Sequence, residues 1–148
     1  MKKIGILGAG TFGTALARML TKTGNDVTVW SALPDEVEQL SRTRVPKNLP
    51  YMTIPDETKF TGSIAEAAEG KDLILFAVPS VFMRSTAAAL APYTCEGQVI
   101  ADVAKGIETD TMFTMTEVIR DALVKNGAKY IPPLVALSGP TQIGRAHV

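Results

Sequence analysis

Two hydrophobic rhythms alternate along this chain. Short apolar runs bounded by turn residues read as buried strands, and apolar residues recurring every third or fourth position read as helices packed on them. Lys3–Leu7 (KIGIL) is the first run, and Phe12, Leu16, Met19 and Leu20 recur with helical spacing from about Thr11. Gly24 suits the C-terminal cap of that helix. Asp26–Trp30 (DVTVW), β-branched and aromatic, predicts a second strand. Pro34 falls in the first turn of a further helix carrying Val37 and Leu40. In the stretch RVPKNLPYMTIPDETKF, Pro46, Pro50 and Pro55 forbid regular helix, so all of it reads as irregular. A loop of this size is functional or packed against a neighbour.

Order resumes at Ser63–Glu66 (SIAE), a capping-box pattern that opens a short helix closed by Gly70. Asp72–Val78 (DLILFAV) is the most apolar run and predicts a central strand. Pro79-Ser80 breaks it, and an alanine-rich helix follows to about Leu90. Gln98–Val103 predicts another strand. Phe113–Lys125 predicts an amphipathic helix with Met115, Val118, Ile119, Ala122 and Leu123 on one face, ended by Asn126-Gly127. Leu134–Leu137 is the last predicted strand. Strands separated by helices imply βαβ units, hence an α/β fold: one domain, doubly wound, with a mainly parallel sheet and helices on both faces.

Composition narrows the function classes. With 46% hydrophobic and 20% charged residues over 148 positions, this is a globular chain able to bury a core. Fifteen basic residues balance fifteen acidic ones, so no global field draws in nucleic acid or an anionic membrane. The single cysteine, Cys95, offers neither an internal disulfide nor a metal-binding cluster, and no metal is expected. No apolar run approaches the roughly 18 residues of a membrane span, and glycines interrupt MKKIGILGAG too early for a signal peptide. A cytoplasmic location is the default expectation.

Chemistry enters with GAGTFG, which places Gly8, Gly10 and Gly13 in G-x-G-x-x-G spacing between the first strand and the first helix. Gly8 permits the tight turn, Gly10 lets a pyrophosphate approach the backbone, and Gly13 lets the helix pack on the sheet. The free amides of the helix N-terminus then favour an anion, so this setting predicts dinucleotide binding. Strand two ends in Trp30, Ser31, Ala32, with no acid until Asp35 and no arginine beside them. A missing carboxylate removes the repulsion that rejects a 2′-phosphate without supplying attraction for one. The cofactor is therefore read as NAD or NADP, with NADP permitted.

Two further loops fall at strand carboxyl ends, where open parallel sheets collect ligands. Val78–Ser80 (VPS) forms a proline-rigid turn suited to lie against a nicotinamide or ribose, through Pro79. Ala104–Glu108 (AKGIE) delivers Lys105 to the same edge, where it could hold a phosphate or a substrate oxygen.

Together, GAGTFGTALA, VPS, KGIE and LSGPT, in that order, resemble bacterial NAD(P)-dependent glycerol-3-phosphate dehydrogenase from Met1 to about Thr141. The resemblance implies a Rossmann-type cofactor domain. It also implies reversible reduction of dihydroxyacetone phosphate to sn-glycerol 3-phosphate, feeding phospholipid synthesis, by an enzyme expected to form a homodimer when full length. Thr11 and Phe12 would contact the cofactor beside the glycine turn. Lys105 would touch cofactor and substrate, and Gly139 and Thr141 would help hold the glycerol phosphate. Ala32 falls where many members carry a basic residue near the adenosine ribose. The family's principal acid/base lysine lies in a C-terminal helical domain to which nothing here corresponds, so no catalytic residue is assigned.

The chain closes on QIGRAHV, where family members continue with an alanine and acidic residues. IGRAHV is the translation of a common sequencing adapter, so residues 1–142 are read as the cofactor domain and Ile143–Val148 as a non-native tail. His147, the lone histidine, then has no role. Such a chain is expected to bind cofactor without turnover. Two alternatives are a reductase of the 6-phosphogluconate or ketopantoate type, and a non-catalytic NAD(P)-binding module.

Overall fold

The computed structural model describes residues 1–104 and 106–137. Strands β1 (Lys3–Leu7), β2 (Asp26–Trp30), β3 (Lys59–Thr61), β4 (Leu73–Phe76), β5 (Val99–Asp102) and β6 (Leu134–Ala136) form one sheet in the order β3-β2-β1-β4-β5-β6. Every neighbouring pair is parallel. Helices α1 (Thr11–Lys22), α2 (Pro34–Thr43), α3 (Ile64–Ala68), α4 (Met83–Leu90) and α5 (Met115–Lys125) supply the crossovers. This is the doubly wound, Rossmann-type α/β arrangement expected from the alternation of periods.

Alternation along each strand builds two cores. Ile4, Ile6, Val27, Val29 and Leu75 face one layer with Ala17 of α1 and Leu40 of α2. Leu7, Ile74, Phe76 and Ile100 face the other, against Ala87 and Leu90 of α4 and Val118, Ile119 and Leu123 of α5. A strand apolar on both sides is what a parallel sheet covered on both faces requires. Helix α5 carries its five predicted apolar residues buried, but begins at Met115 and not at Phe113. Thr114 is its N-cap: the Glu117 amide donates to Thr114 Oγ1 at 3.4 Å and the Thr114 amide donates to Glu117 Oε1 at 2.9 Å.

The structure corrects the reading of the proline-rich stretch. Its last two residues belong to β3, a three-residue edge strand that the alternation alone did not announce. β3 exists by pairing, with Thr28, Val29 and Trp30 opposite Lys59, Phe60 and Thr61. The rest of the stretch is packed down. Ile54 is fully buried, and the Arg44 guanidinium donates to the carbonyls of Pro55 (3.1 Å) and Thr58 while lying over the Phe60 ring. Arg44 itself takes a left-handed φ of 62° as the C-cap of α2.

The topology also fixes where a ligand fits. After β3 the chain returns across the sheet to lay β4 beside β1, so the crossovers on either side of β1 diverge. A crevice opens between the carboxyl ends of β1 and β4.

Candidate functional site

A cavity of about 850 Å³ occupies that crevice. Its walls come from the loops after four strands: Gly8–Phe12 after β1, Trp30–Leu33 with Glu36 after β2, Ala77–Ser80 after β4, and Val103–Ala104 after β5. Phe82, Ser85, Thr86 and Ala89 close it on the α4 side.

The glycine turn is built by two different constraints. Gly8 has φ +127°, and a Cβ there would meet the Ala77 carbonyl oxygen at 2.6 Å. A Cβ on Gly13 would lie 2.1 Å from the Gly8 oxygen, so α1 reaches β1 only through a bare backbone. Gly10 differs: a Cβ there would meet nothing within 4 Å. The protein itself leaves this space open, on the cavity side of the turn. Gly10 is also the N-cap of α1 and supplies no side-chain acceptor, and the first turn of α1 holds no acid. The amides at that end are thus uncapped, with the positive end of the helix dipole unopposed by α1's own side chains. Thr14 Oγ1 donates back to the carbonyls of Gly10 (2.9 Å) and Thr11 (3.2 Å), fixing the turn from the buried side. A pyrophosphate fits this cradle.

Gly8, Gly10, Thr11, Phe12, Ala32 and Pro79 all line the one cavity, while Gly13 packs behind it. Lys105, Gly139 and Thr141 lie outside the described residues, as do Gln142 and the tail with His147. The loop that carries Lys105 is nonetheless defined on both sides. The Ala104 amide donates to Asp102 Oδ1 at 2.8 Å, and burial at the end of β5 pushes the Asp102 carboxyl up from its ordinary value against that hydrogen bond. Farther along, Glu108 takes Arg84 in a two-pronged pair, Nε to Oε2 at 2.9 Å and Nη2 to Oε1 at 2.8 Å. Arg84 Nη1 also donates to Asp121 Oδ2 at 2.6 Å. The guanidinium hydrogen bonds, with help from Thr111, pull the Glu108 carboxyl down to about 2. One arginine on α4 therefore ties the loop after β5 to α5.

Sequence reasoning missed two members of the site. Trp30, the only tryptophan, is half-buried in the cavity wall and anchored by Nε1 to the Gly62 carbonyl at 3.3 Å. Glu36, in the first turn of α2, also reaches this wall, whereas Asp35 does not line this cavity. Ser31 Oγ donates to Glu36 Oε1 at 2.6 Å and accepts the Leu33 amide at 3.1 Å. The available signal was Pro34: as the first residue of α2 it sets which residues of the first turn face inward. Among the described residues no helix is long and apolar enough to cross a membrane.

Comparison with known proteins places this geometry. The family model for the N-terminus of NAD-dependent glycerol-3-phosphate dehydrogenase matches residues 3–143. A glycerol-3-phosphate dehydrogenase [NAD(P)+] of Lactobacillus delbrueckii subsp. bulgaricus is 64% identical over 141 residues, covering 95% of this chain and 42% of the relative. The crystal structure of glycerol-3-phosphate dehydrogenase from Coxiella burnetii superposes with a TM-score of 0.82 at 29% identity, over 95% of this chain and 41% of that one. A ketopantoate reductase from Ralstonia eutropha reaches 0.67 at 20% identity, over 90% and 39%, which shows likeness of fold alone. The chain spans about two fifths of the length of the curated relatives it matches.

Proposed function

The chain belongs to the family of the NAD-dependent glycerol-3-phosphate dehydrogenase N-terminus, and from that premise we propose that it holds NAD or NADP for the interconversion of dihydroxyacetone phosphate and sn-glycerol 3-phosphate. The observation that carries the cofactor part is Gly10, open to the cavity beside the uncapped amides of α1. The substrate part rests on the relatives.

The bound nucleotide supplies a hydride from its nicotinamide ring. The chain's own residues orient it. The amides after Gly10 take the pyrophosphate, Phe12 covers the turn, and Ala32 stands at the adenosine end. The rigid turn at Pro79 bears on the nicotinamide end. Lys105 is proposed to hold oxygens of cofactor and substrate, with Gly139 and Thr141 on the glycerol phosphate. In the reduction, C2 of the ketone receives the hydride and its oxygen receives a proton. That proton is proposed to come from a lysine outside residues 1–142, in a helical domain that also completes the substrate clamp. General acid help contributes about 10²–10⁴ in rate, so these residues alone are expected to bind without turning over. A cytoplasmic setting and a homodimer of the whole enzyme complete the proposal.

The test is titration with NADH and NADPH, following quenching of Trp30, together with nucleotide oxidation by the full-length gene product on adding dihydroxyacetone phosphate. Saturable binding and ketone-dependent oxidation are expected. No saturation by either nucleotide overturns the cofactor assignment, and saturation without oxidation overturns the substrate assignment alone.

A further inference from the structure

The loop after β2 presents a carboxylate that the strand end itself lacks, and its surroundings say what it does. Ser31 is almost fully buried, and its hydroxyl is committed twice, to the Leu33 amide and to Glu36 Oε1. The second bond, at 2.6 Å, fixes the Glu36 side chain against the cavity wall instead of leaving it to swing in solvent. Among the described residues, Oε2 of Glu36 has no hydrogen-bond donor.

Among the described residues no cation forms an ion pair with Glu36. Arg42 pairs with Glu38 on the exposed side of α2, and Arg44 is spent on the Pro55 and Thr58 carbonyls. Lys47 lines a smaller, adjoining cavity that shares Glu36, and it does not line the main one.

A dinucleotide with its pyrophosphate at Gly10 runs its adenosine half toward β2 and its nicotinamide half toward β4. The ribose hydroxyls then arrive at the Ser31–Glu36 wall. Resting on the cofactor assignment above, we infer that Glu36, held by Ser31, selects NAD over NADP in this chain. A free carboxylate oxygen accepts from the 2′- and 3′-hydroxyls of NAD, whereas a 2′-phosphate would set like charges together in a partly desolvated wall.

Three variants of the 148-residue chain test this: Glu36→Gln, Ser31→Ala and Lys47→Ala. Each is titrated with NADH and NADPH, and with 5′-ADP and 2′,5′-ADP, which lack the nicotinamide half. The unaltered chain is expected to favour NADH over NADPH by about tenfold or more. Glu36→Gln should shrink that ratio by about tenfold, mainly by tightening NADPH, with the same shift in the ADP pair. Ser31→Ala should move it the same way by less, and Lys47→Ala should leave it within about twofold. An unchanged ratio in Glu36→Gln, with both nucleotides still bound, overturns the inference alone. So does a ratio governed by Lys47. If no nucleotide binds the unaltered chain, the cofactor assignment falls and this inference falls with it.

Discussion

Gly10 and Gly13 stand three residues apart in one turn, but different partners demand their bareness. An alanine at Gly13 would gain about 1 kcal/mol of helix propensity. It would also drive a methyl to 2.1 Å from the Gly8 oxygen, a backbone atom that cannot swing aside. Overpacking of this kind costs about 1–3 kcal/mol or more, so the clash wins. Gly13→Ala should lower Tm by about 5 °C. Gly10→Ala meets no protein atom and loses only cap preference, up to about 1 kcal/mol, so its Tm should stay within about 3 °C. Nucleotide affinity should reverse that order, falling by at least about tenfold for Gly10→Ala because the new methyl takes up the space of the ligand. Thermal melts and titrations of the two variants check both halves, and equal loss of affinity and Tm in each would contradict the division. The spacing of the glycines was plain in the sequence. That spacing also assigned Gly10 to a ligand and Gly13 to helix packing. What it could not show is the atoms that enforce the second role, the Gly8 carbonyl oxygen and the Ala77 methyl, which the fold brings against Gly13.

Between elements, the loop after β5 depends on charges that lie far apart in the chain. Glu108 meets Arg84 from 24 positions away, and Arg84 meets Asp121 from 37. Because the folded state holds the Glu108 carboxyl at about 2, below its ordinary 4.5, this pair stabilises the fold fully above about pH 4.5. That contribution disappears as the pH falls toward 2. Glu108→Gln should therefore lower stability at neutral pH and flatten part of the acid-induced loss. Denaturant midpoints measured across that pH window check it, and an unaltered acid limb would count against the pair. Amide exchange should also quicken over residues 106–113 in the variant while β4 stays protected. No sequence pattern announces such a clamp, since helical pairing rules reach only three or four residues. The same reason hid β3, whose three residues are ordered by the neighbouring strand and not by their own alternation. The long apolar runs and the buried face of α5 were legible because their signal repeats within one element.

At the scale of the molecule, strand order turns separate loops into one site. Placing β4 beside β1 brings the glycine turn, the Trp30–Glu36 wall and the Pro79 turn around a single cavity, though Gly8 and Pro79 lie 71 positions apart in sequence. The alternation of strands and helices was enough to foresee such a crevice, and the glycine spacing between the first strand and the first helix is what pointed to a nucleotide in it. It could not reach the substrate, which came from motif resemblance and from relatives of which this chain spans about two fifths. The physical consequence is an expected separation of binding from chemistry. A ligand at 100 times its Kd that binds only the folded state adds about 2.7 kcal/mol of stability. For a chain of this size that raises Tm by about 5–10 °C. The 148-residue chain should therefore be stabilised by reduced nicotinamide nucleotide and still leave dihydroxyacetone phosphate unreduced, because the proposed function puts the amides that hold the pyrophosphate and the lysine that protonates the ketone in different parts of the enzyme. Nucleotide melts run beside an oxidation assay separate the two. Turnover by this chain at a rate near that of the full-length protein would mean that an acid within these residues, and not the proposed lysine beyond them, delivers the proton.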